Sequence, residues 1–272
     1  MSLVTATRSE SLKLFTTSMW WLLAVILVAY VAFTSAALGF ALGGAATGAL
    51  GPTNGPELPA DGLAGLLYST ATAVGYVFPL LIGTLIVTAE FRHKTLTPTF
   101  LAVPRRGVVL WSKLAVGVLV GVLYGVLGIA AAVGPGAGFL AGFGLDTELT
   151  SSDTWAMMGR MLLAYVLWVF IGIGVGALVR NQVGAIVGVL VFTQFIEPIV
   201  RTAAGFVDGL TGVTQFLPGA ASDTLVGASI LSVAMPAGTD PLDWWVGGVI
   251  LAGYAAVFLG LGYLTAWRRD VS

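Results

Sequence analysis

The sequence predicts an all-α integral membrane protein with six transmembrane helices, and three observations lead there. The first is composition: of 272 residues, 57% are hydrophobic and only 9% charged, whereas a soluble domain carries about 25% charged residues. So few charges cannot build a water-facing surface. The second is run length: the apolar runs reach 18 or more residues and do not alternate. In lipid every backbone N–H and C=O must be paired internally, so only helices or closed barrels cross. Barrel strands would show as alternating segments of about ten residues, so helices are predicted. The third is the distribution of charge, which gives the helices a consistent orientation.

Six runs meet the length of about 20 residues that a bilayer core of about 30 Å requires. They are about 20–42, 63–88, 114–134, 161–179, 183–200 and 246–267. The second contains Pro79, and the third is expected to stop at Gly134-Pro135-Gly136. Aromatics stand at the expected interfaces: Trp20, Trp21, Trp155, Trp244, Trp245 and Trp267. The apolar core of the first run exceeds the 7–15 residues of a signal peptide, so it is expected to be a retained anchor. Residues 1–19 form a short amphipathic N-terminal segment, residues 20–267 one membrane domain, and residues 268–272 a tail. Residues 43–62, rich in Gly, Pro and Ala, form an outer connection.

One further apolar stretch, Leu225 to Met235, makes a helix of only about 16 Å, too short to cross. A re-entrant or outer helix is expected there, with Ser222 positioned to cap its start and Pro236 following its end. With both termini cytoplasmic, ten of the twelve Lys and Arg lie on the inner side, leaving only Arg160 and Arg201 outside. That is the arrangement the positive-inside rule demands. A seventh span would carry Arg268 and Arg269 outward. Ten of the thirteen acids fall on the outer side. The expected location is the cell membrane.

Several chemistries are excluded. Cysteine is absent, so there is no disulfide, thiol nucleophile or thiolate metal site. The three lysines follow Leu12, His93 and Ser112, so no Gly-Lys pair exists to hold nucleotide phosphates. The only histidine, His93, has no ligand-spaced companion, and a membrane-embedded enzyme is disfavoured. A net charge of −1 with no basic stripe points away from nucleic acid. No metal or cofactor is expected in the chain, and no catalytic residue.

Two stretches carry the functional signal. The first is the inner loop from Glu90 to Arg106, Glu-Phe-Arg-His-Lys-Thr-Leu-Thr-Pro-Thr-Phe-Leu-Ala-Val-Pro-Arg-Arg. Thr97 is a good N-cap, Pro98 suits the first helical position, and Pro104 ends the helix at Val103. The product is a short helix presenting Phe100, Leu101 and Val103 among basic residues. By physics alone it serves equally as an interfacial helix on lipid headgroups or as a docking knob for a cytosolic partner. The second stretch is Gln194, Glu197, Pro198 and Arg201, which interrupts the fifth apolar run. A charge at the bilayer centre costs about 2.5–3.5 kcal/mol, so these lie near the outer interface or face protein. Glu197 and Arg201 are spaced to pair along a helix. They are read as a structural ion pair or as an outer gate, with Tyr76 a further candidate for the pathway wall. Gly117, Gly121 and Gly125, Gly172 and Gly176, and Gly184 and Gly188 repeat at four-residue spacing, which lets helices approach closely.

The inner loop resembles the first cytosolic loop of permease subunits from type-2 ATP-binding-cassette exporters, particularly the small six-span actinobacterial kind. The matching residues are Glu90, Phe91, Arg92, Thr95, Pro104, Arg105, Arg106 and Lys113. The N-terminal Arg8-Ser9-Glu10 and Leu12-Lys13-Leu14, followed by Trp20-Trp21, is similar to the segment before their first span. Lys94 stands where the family has Gly, Ser11 where an aromatic is common and Phe15 where a basic residue is common. The resemblance implies that Thr97 to Val103 is a coupling helix seated in an ATPase subunit. Glu90 and Arg92 would fix its approach, and Arg105 and Arg106 would meet the ATPase or lipid phosphate. It further implies two copies of a cytosolic ATPase holding ATP and Mg, and a second permease copy as homodimer or similar heterodimer. The exported substrate would be an amphipathic compound, drug or antibiotic, or lipid. The rival expectation is a secondary transporter or channel that needs no ATPase.

Overall fold

The computed structural model describes residues 2–51, 62–95, 106–207, 211–229 and 242–267. Among them six helical segments are long and apolar enough to cross a membrane: Met19–Ala46, Leu63–Arg92, Gly107–Gly142, Ser152–Val179, Gln182–Ala204 and Trp244–Thr265. The chain is a multi-pass helical membrane protein. Every described regular element is helical.

The first element, α1 (Leu3–Phe15), starts at Ser2, whose side chain accepts from the Thr5 N–H. It turns Ala6, Glu10 and Leu14 inward and leaves Leu3, Val4 and Leu12 exposed. The joint to α2 (Met19–Ala46) is pinned by Trp20, whose indole N–H donates to the Phe15 carbonyl at 3.1 Å. The second span is two helices, α3 (Leu63–Ala73) and α4 (Val77–Arg92), broken at residues 74–76. Pro79 explains the place of the break. A proline ring collides with the carbonyl four residues earlier, and that carbonyl belongs to Gly75. It accepts instead from the Phe78 N–H at 3.1 Å in a tighter turn.

The third span, α5 (Arg106–Gly142), runs straight through Pro135. The expected stop at Gly134-Pro135-Gly136 is therefore corrected: in lipid, ending the helix would unpair more backbone groups than the single bond that Pro135 removes, and a tertiary contact packs beside it. Ser35 of α2 donates its hydroxyl to the Ala132 carbonyl at 2.6 Å, one residue past the carbonyl that Pro135 leaves without a donor. The fourth span, α6 (Ser152–Val179), begins at the Ser151 cap and ends at Arg180 in a left-handed turn. The fifth comprises α7 (Gln182–Val191), a π-turn at Phe192–Ile196 and α8 (Glu197–Ala204). The π-turn lies just before Pro198, where the regular ladder cannot continue. A single turn, α9 (Thr211–Thr214), precedes α10 (Pro218–Val226), and α11 (Trp244–Gly262) forms the sixth span.

Of the expected helix from Leu225 to Met235, the described residues place only Leu225 and Val226 in a helix, and that helix starts earlier in the chain. Pro218 opens α10, Gly227 closes it with φ +83°, and Ser222 sits inside it rather than capping it. Residues 230–241 lie outside the described residues.

Span two is the most enclosed, 89% buried in its most apolar window, while spans one, five and six are 28%, 22% and 22% buried. Glycine sets this arrangement. A Cβ at Gly83 would fall 2.2 Å from the Val169 carbonyl oxygen, one at Gly172 2.2 Å from that of Leu80, and one at Gly176 2.6 Å from that of Thr84. Spans two and four thus touch backbone to backbone. Gly121 likewise meets the Val166 backbone of span four, and Gly125 meets the Leu162 side chain, as their spacing predicts. Gly184 and Gly188 do not: Gly184 meets only its own Asn181 cap and its neighbour Val179 at ordinary van der Waals distance, and Gly188 faces open space. Their repeat lies on the exposed side of span five, where Val183, Val187, Leu190 and Phe195 also point outward.

Candidate functional site

Two clusters of charge sit inside the bundle, one at each end. The basic end gathers α1, the end of α4, the start of α5 and the α6–α7 turn. There Lys113, whose side chain is 0% exposed, reaches Glu10 at 2.6 Å and Glu90 at 2.9 Å. Lys13 reaches the other oxygens of the same two acids at 2.7 and 2.9 Å. Two acids and two bases alternate in a closed neutral quartet. Burial pushes the Glu10 carboxyl up, but Lys113 and Lys13 outweigh it and hold the group below its ordinary value. Burial likewise pulls Lys13 down, and Glu10 and Glu90 outweigh that, leaving it raised. The quartet fastens the amphipathic α1 to the second and third spans.

Glu90 and Arg92 part company here. Glu90 is buried in the quartet, whereas Arg92 is exposed and donates to the Gln182 side chain at 3.4 Å. The expected coupling helix lies outside the described residues, and with it Thr97, Pro98, Phe100, Leu101, Val103 and Arg105. Arg106 opens α5, and its side chain is likewise outside them. A cavity of about 320 Å³ opens beside the quartet. Leu14, Ile82, Leu85 and Ile86 line it together with Glu10, Lys13, Arg92 and Gln182. At the same end Arg180 donates to the Thr265 carbonyl, tying the end of span four to the end of span six.

The far end is organised around α10. This helix is inserted between spans, with Ala221, Leu225 and Val226 fully buried. Its N-terminal amides of Gly219 and Ala220 donate to Glu197 Oε1 at 2.6 and 3.2 Å. Its C-terminal Val226 carbonyl accepts from Arg160 Nε at 3.1 Å, and the Arg160 guanidinium lies 5.7 Å from the Trp244 ring centroid. A carboxyl oxygen thus satisfies first-turn amides of α10, and a base at its other end complements the helix dipole. The Trp168 indole of span four donates to Ser222 at 3.1 Å.

The expected Glu197–Arg201 ion pair does not form. Arg201 instead pairs with Asp223 at 2.7 Å, because α10 brings a second carboxylate within reach and its amides occupy Glu197. Tyr76 packs into this region. It stacks on Trp168 at 4.5 Å between centroids and donates to the Thr193 carbonyl inside the π-turn at 3.1 Å. Gln194 does not join. It lies on the exposed face of span five, and its side-chain amide contacts Thr193 at 3.5 Å.

Sequence reasoning missed Asp223, Arg160 and the pairing of Glu10 with Lys113. Their separations of 22, 66 and 103 residues from their partners leave no local periodicity. The one available signal was an acid and two bases in otherwise apolar surroundings, a combination that demands partners. Among the described residues no group of three or more His, Asp or Glu gathers to hold a metal. The chain matches no known protein-family model and none of the curated proteins.

Proposed function

We propose that this chain is the transmembrane permease subunit of an ATP-driven exporter, working with a separate cytosolic ATPase. The observation that carries the reading is the loop from Glu90 to Arg106, whose residues resemble the ATPase-docking loop of type-2 exporters. The absence of a phosphate-binding Gly-Lys motif in this chain is consistent with ATP chemistry in another polypeptide. The basic end would face the cytosol, since Arg92, Lys94, Lys113 and Arg180 gather there. Two permease copies would pair, with two ATPases holding ATP and Mg below them. Closure of the ATPases would push the segment 97–103 and, through the rigid contact of spans two and four, the bundle. A cavity lined by both apolar and charged groups suits an amphipathic substrate.

The test is co-expression with an ATP-binding-cassette ATPase from the same genome, the one encoded nearest to this chain being tried first, followed by purification in nanodiscs. The expected result is a stable complex whose ATP hydrolysis responds to this subunit and loses that response when residues 97–103 are replaced by a Gly-Ser linker. Failure to associate, or hydrolysis indifferent to the replacement, refutes the reading. The buried carboxylate of Glu197 in span five favours a second one, a secondary transporter coupled to an ion gradient. Uptake or release in proteoliposomes driven by a gradient alone, without any ATPase, would select it.

A further inference from the structure

Glu197 is 1% exposed, enclosed near the far end of span five. Its two carboxyl oxygens have unlike surroundings. Oε1 accepts two amide hydrogens from the first turn of α10. Oε2 is fully buried and, among the described residues, has no hydrogen-bond partner. A buried charged oxygen without a partner is strongly disfavoured, so something must satisfy it.

The neighbouring groups are already engaged. Arg201, on the same helix, lies 2.7 Å from Asp223 of α10. Tyr76 of span two donates its hydroxyl hydrogen to the Thr193 carbonyl, and Tyr254 of span six donates its own to the Phe216 carbonyl at 3.1 Å. Among the described residues, those are the titratable and charged groups that face Glu197 from the elements around it. With Glu197 ionised, two carboxylates share one guanidinium and the cluster carries a net negative charge inside the membrane. With Glu197 protonated, the cluster is neutral. The space is also tight: a Cβ at Gly219 would stand 2.5 Å from Glu197 Oε1. A hydrated metal ion, which needs several oxygens, is poorly suited to such a place, whereas a proton adds no volume.

We propose that Glu197 is a proton-binding site within the membrane, holding its proton on Oε2 and exchanging it with water at the far end of the bundle. Binding takes a proton from hydronium and returns a water molecule; release reverses it. Oε1 stays an acceptor for the α10 amides in both forms. The inference goes beyond the export reading and does not depend on it, because it concerns the resting charge of one side chain.

The experiment is infrared difference spectroscopy on the full-length protein in nanodiscs, stepped between acidic and alkaline buffer. The expected result is a protonated-carboxyl C=O stretch at neutral pH that shifts in D2O, is absent from Glu197→Gln and is displaced in Glu197→Asp. Glu197→Gln should remain folded, because its amide oxygen still accepts from Gly219 and Ala220. If that variant does not fold, Glu197→Asp decides alone: a displaced band supports the site and an unchanged band overturns it. No protonated-carboxyl band at neutral pH, or a band retained in full by Glu197→Gln, also overturns it.

Discussion

Replacing Lys113 by methionine tests whether the basic-end quartet holds α1 to the bundle. Methionine keeps the unbranched apolar stem and removes the ammonium. The lysine side chain is 0% exposed and lies 2.6 and 2.9 Å from two carboxylates that are themselves 7% and 6% exposed. Removing one partner of a buried ion pair costs about 3–5 kcal/mol, because the remaining charge is left uncompensated. Lys13 stays in contact with both acids, which places the expected loss at the lower end, about 3 kcal/mol. Lys13→Met removes the same charge at a position 41% exposed, where water replaces the ammonium; exposed pairs contribute about 1 kcal/mol or less. Lys113→Met combined with Glu90→Gln removes one base and one acid together, so the double variant should recover much of the loss. The assay is equilibrium unfolding in mixed micelles followed by tryptophan fluorescence, since Trp20 sits at the α1–α2 joint. Equal losses for the two lysine variants would refute the account. So would a double variant less stable than Lys113→Met alone.

The same quartet predicts a pH window for α1. Glu10 is depressed below its ordinary 4.5, so its contribution is present above that value and lost as pH falls below it through the folded-state pKa. Lys13 is raised above its ordinary 10.5, so its contribution is present below that value and lost as pH climbs past it. The protection factors of the α1 amides, taken relative to the intrinsic exchange rate at each pH, should therefore be flat between those limits and fall beyond both, and a transition near neutral pH would contradict the assignment. Gly83→Ala forces a methyl into the Val169 backbone and should destabilise by about 1–3 kcal/mol or more, whereas Gly188→Ala, in open space, should be neutral or stabilise by up to about 1 kcal/mol. The ranking of the two in a thermal-shift measurement checks the contact between spans two and four. Tyr165 donates its hydroxyl to the Ala71 carbonyl in the last turn of α3 at 2.5 Å. Tyr165→Phe leaves that carbonyl buried without this donor and should cost about 1–3 kcal/mol, and an unchanged melting temperature would count against the bond.

Much of the bundle was legible in the chain, because each span is a local property. Lipid punishes unpaired backbone so severely that about 20 apolar residues in a row already imply a helix. The glycine repeats of spans three and four pointed to close packing for the same local reason. The failures share a cause as well. Pro135 reads as a stop, yet the helix runs on because Gly136 beside it packs closely against Ser35 and Tyr68 of the first two spans, a contact between residues far apart in sequence. Gly184 and Gly188 read as a contact surface because spacing does not say which side of a helix meets protein.

Sequence alone thus determined the class of protein, the approximate spans and the concentration of positive charge at one end. Each follows from the energetics of a single segment in lipid. Only the tertiary structure decided which charges meet. Glu197 and Arg201 are one helical turn apart, yet Arg201 takes Asp223 because α10 returns into the bundle and presents it. Glu10 and Lys113 are 103 positions apart, yet they lie 2.6 Å from each other. Buried charges are paired by whichever elements arrive beside them, and that is settled by packing.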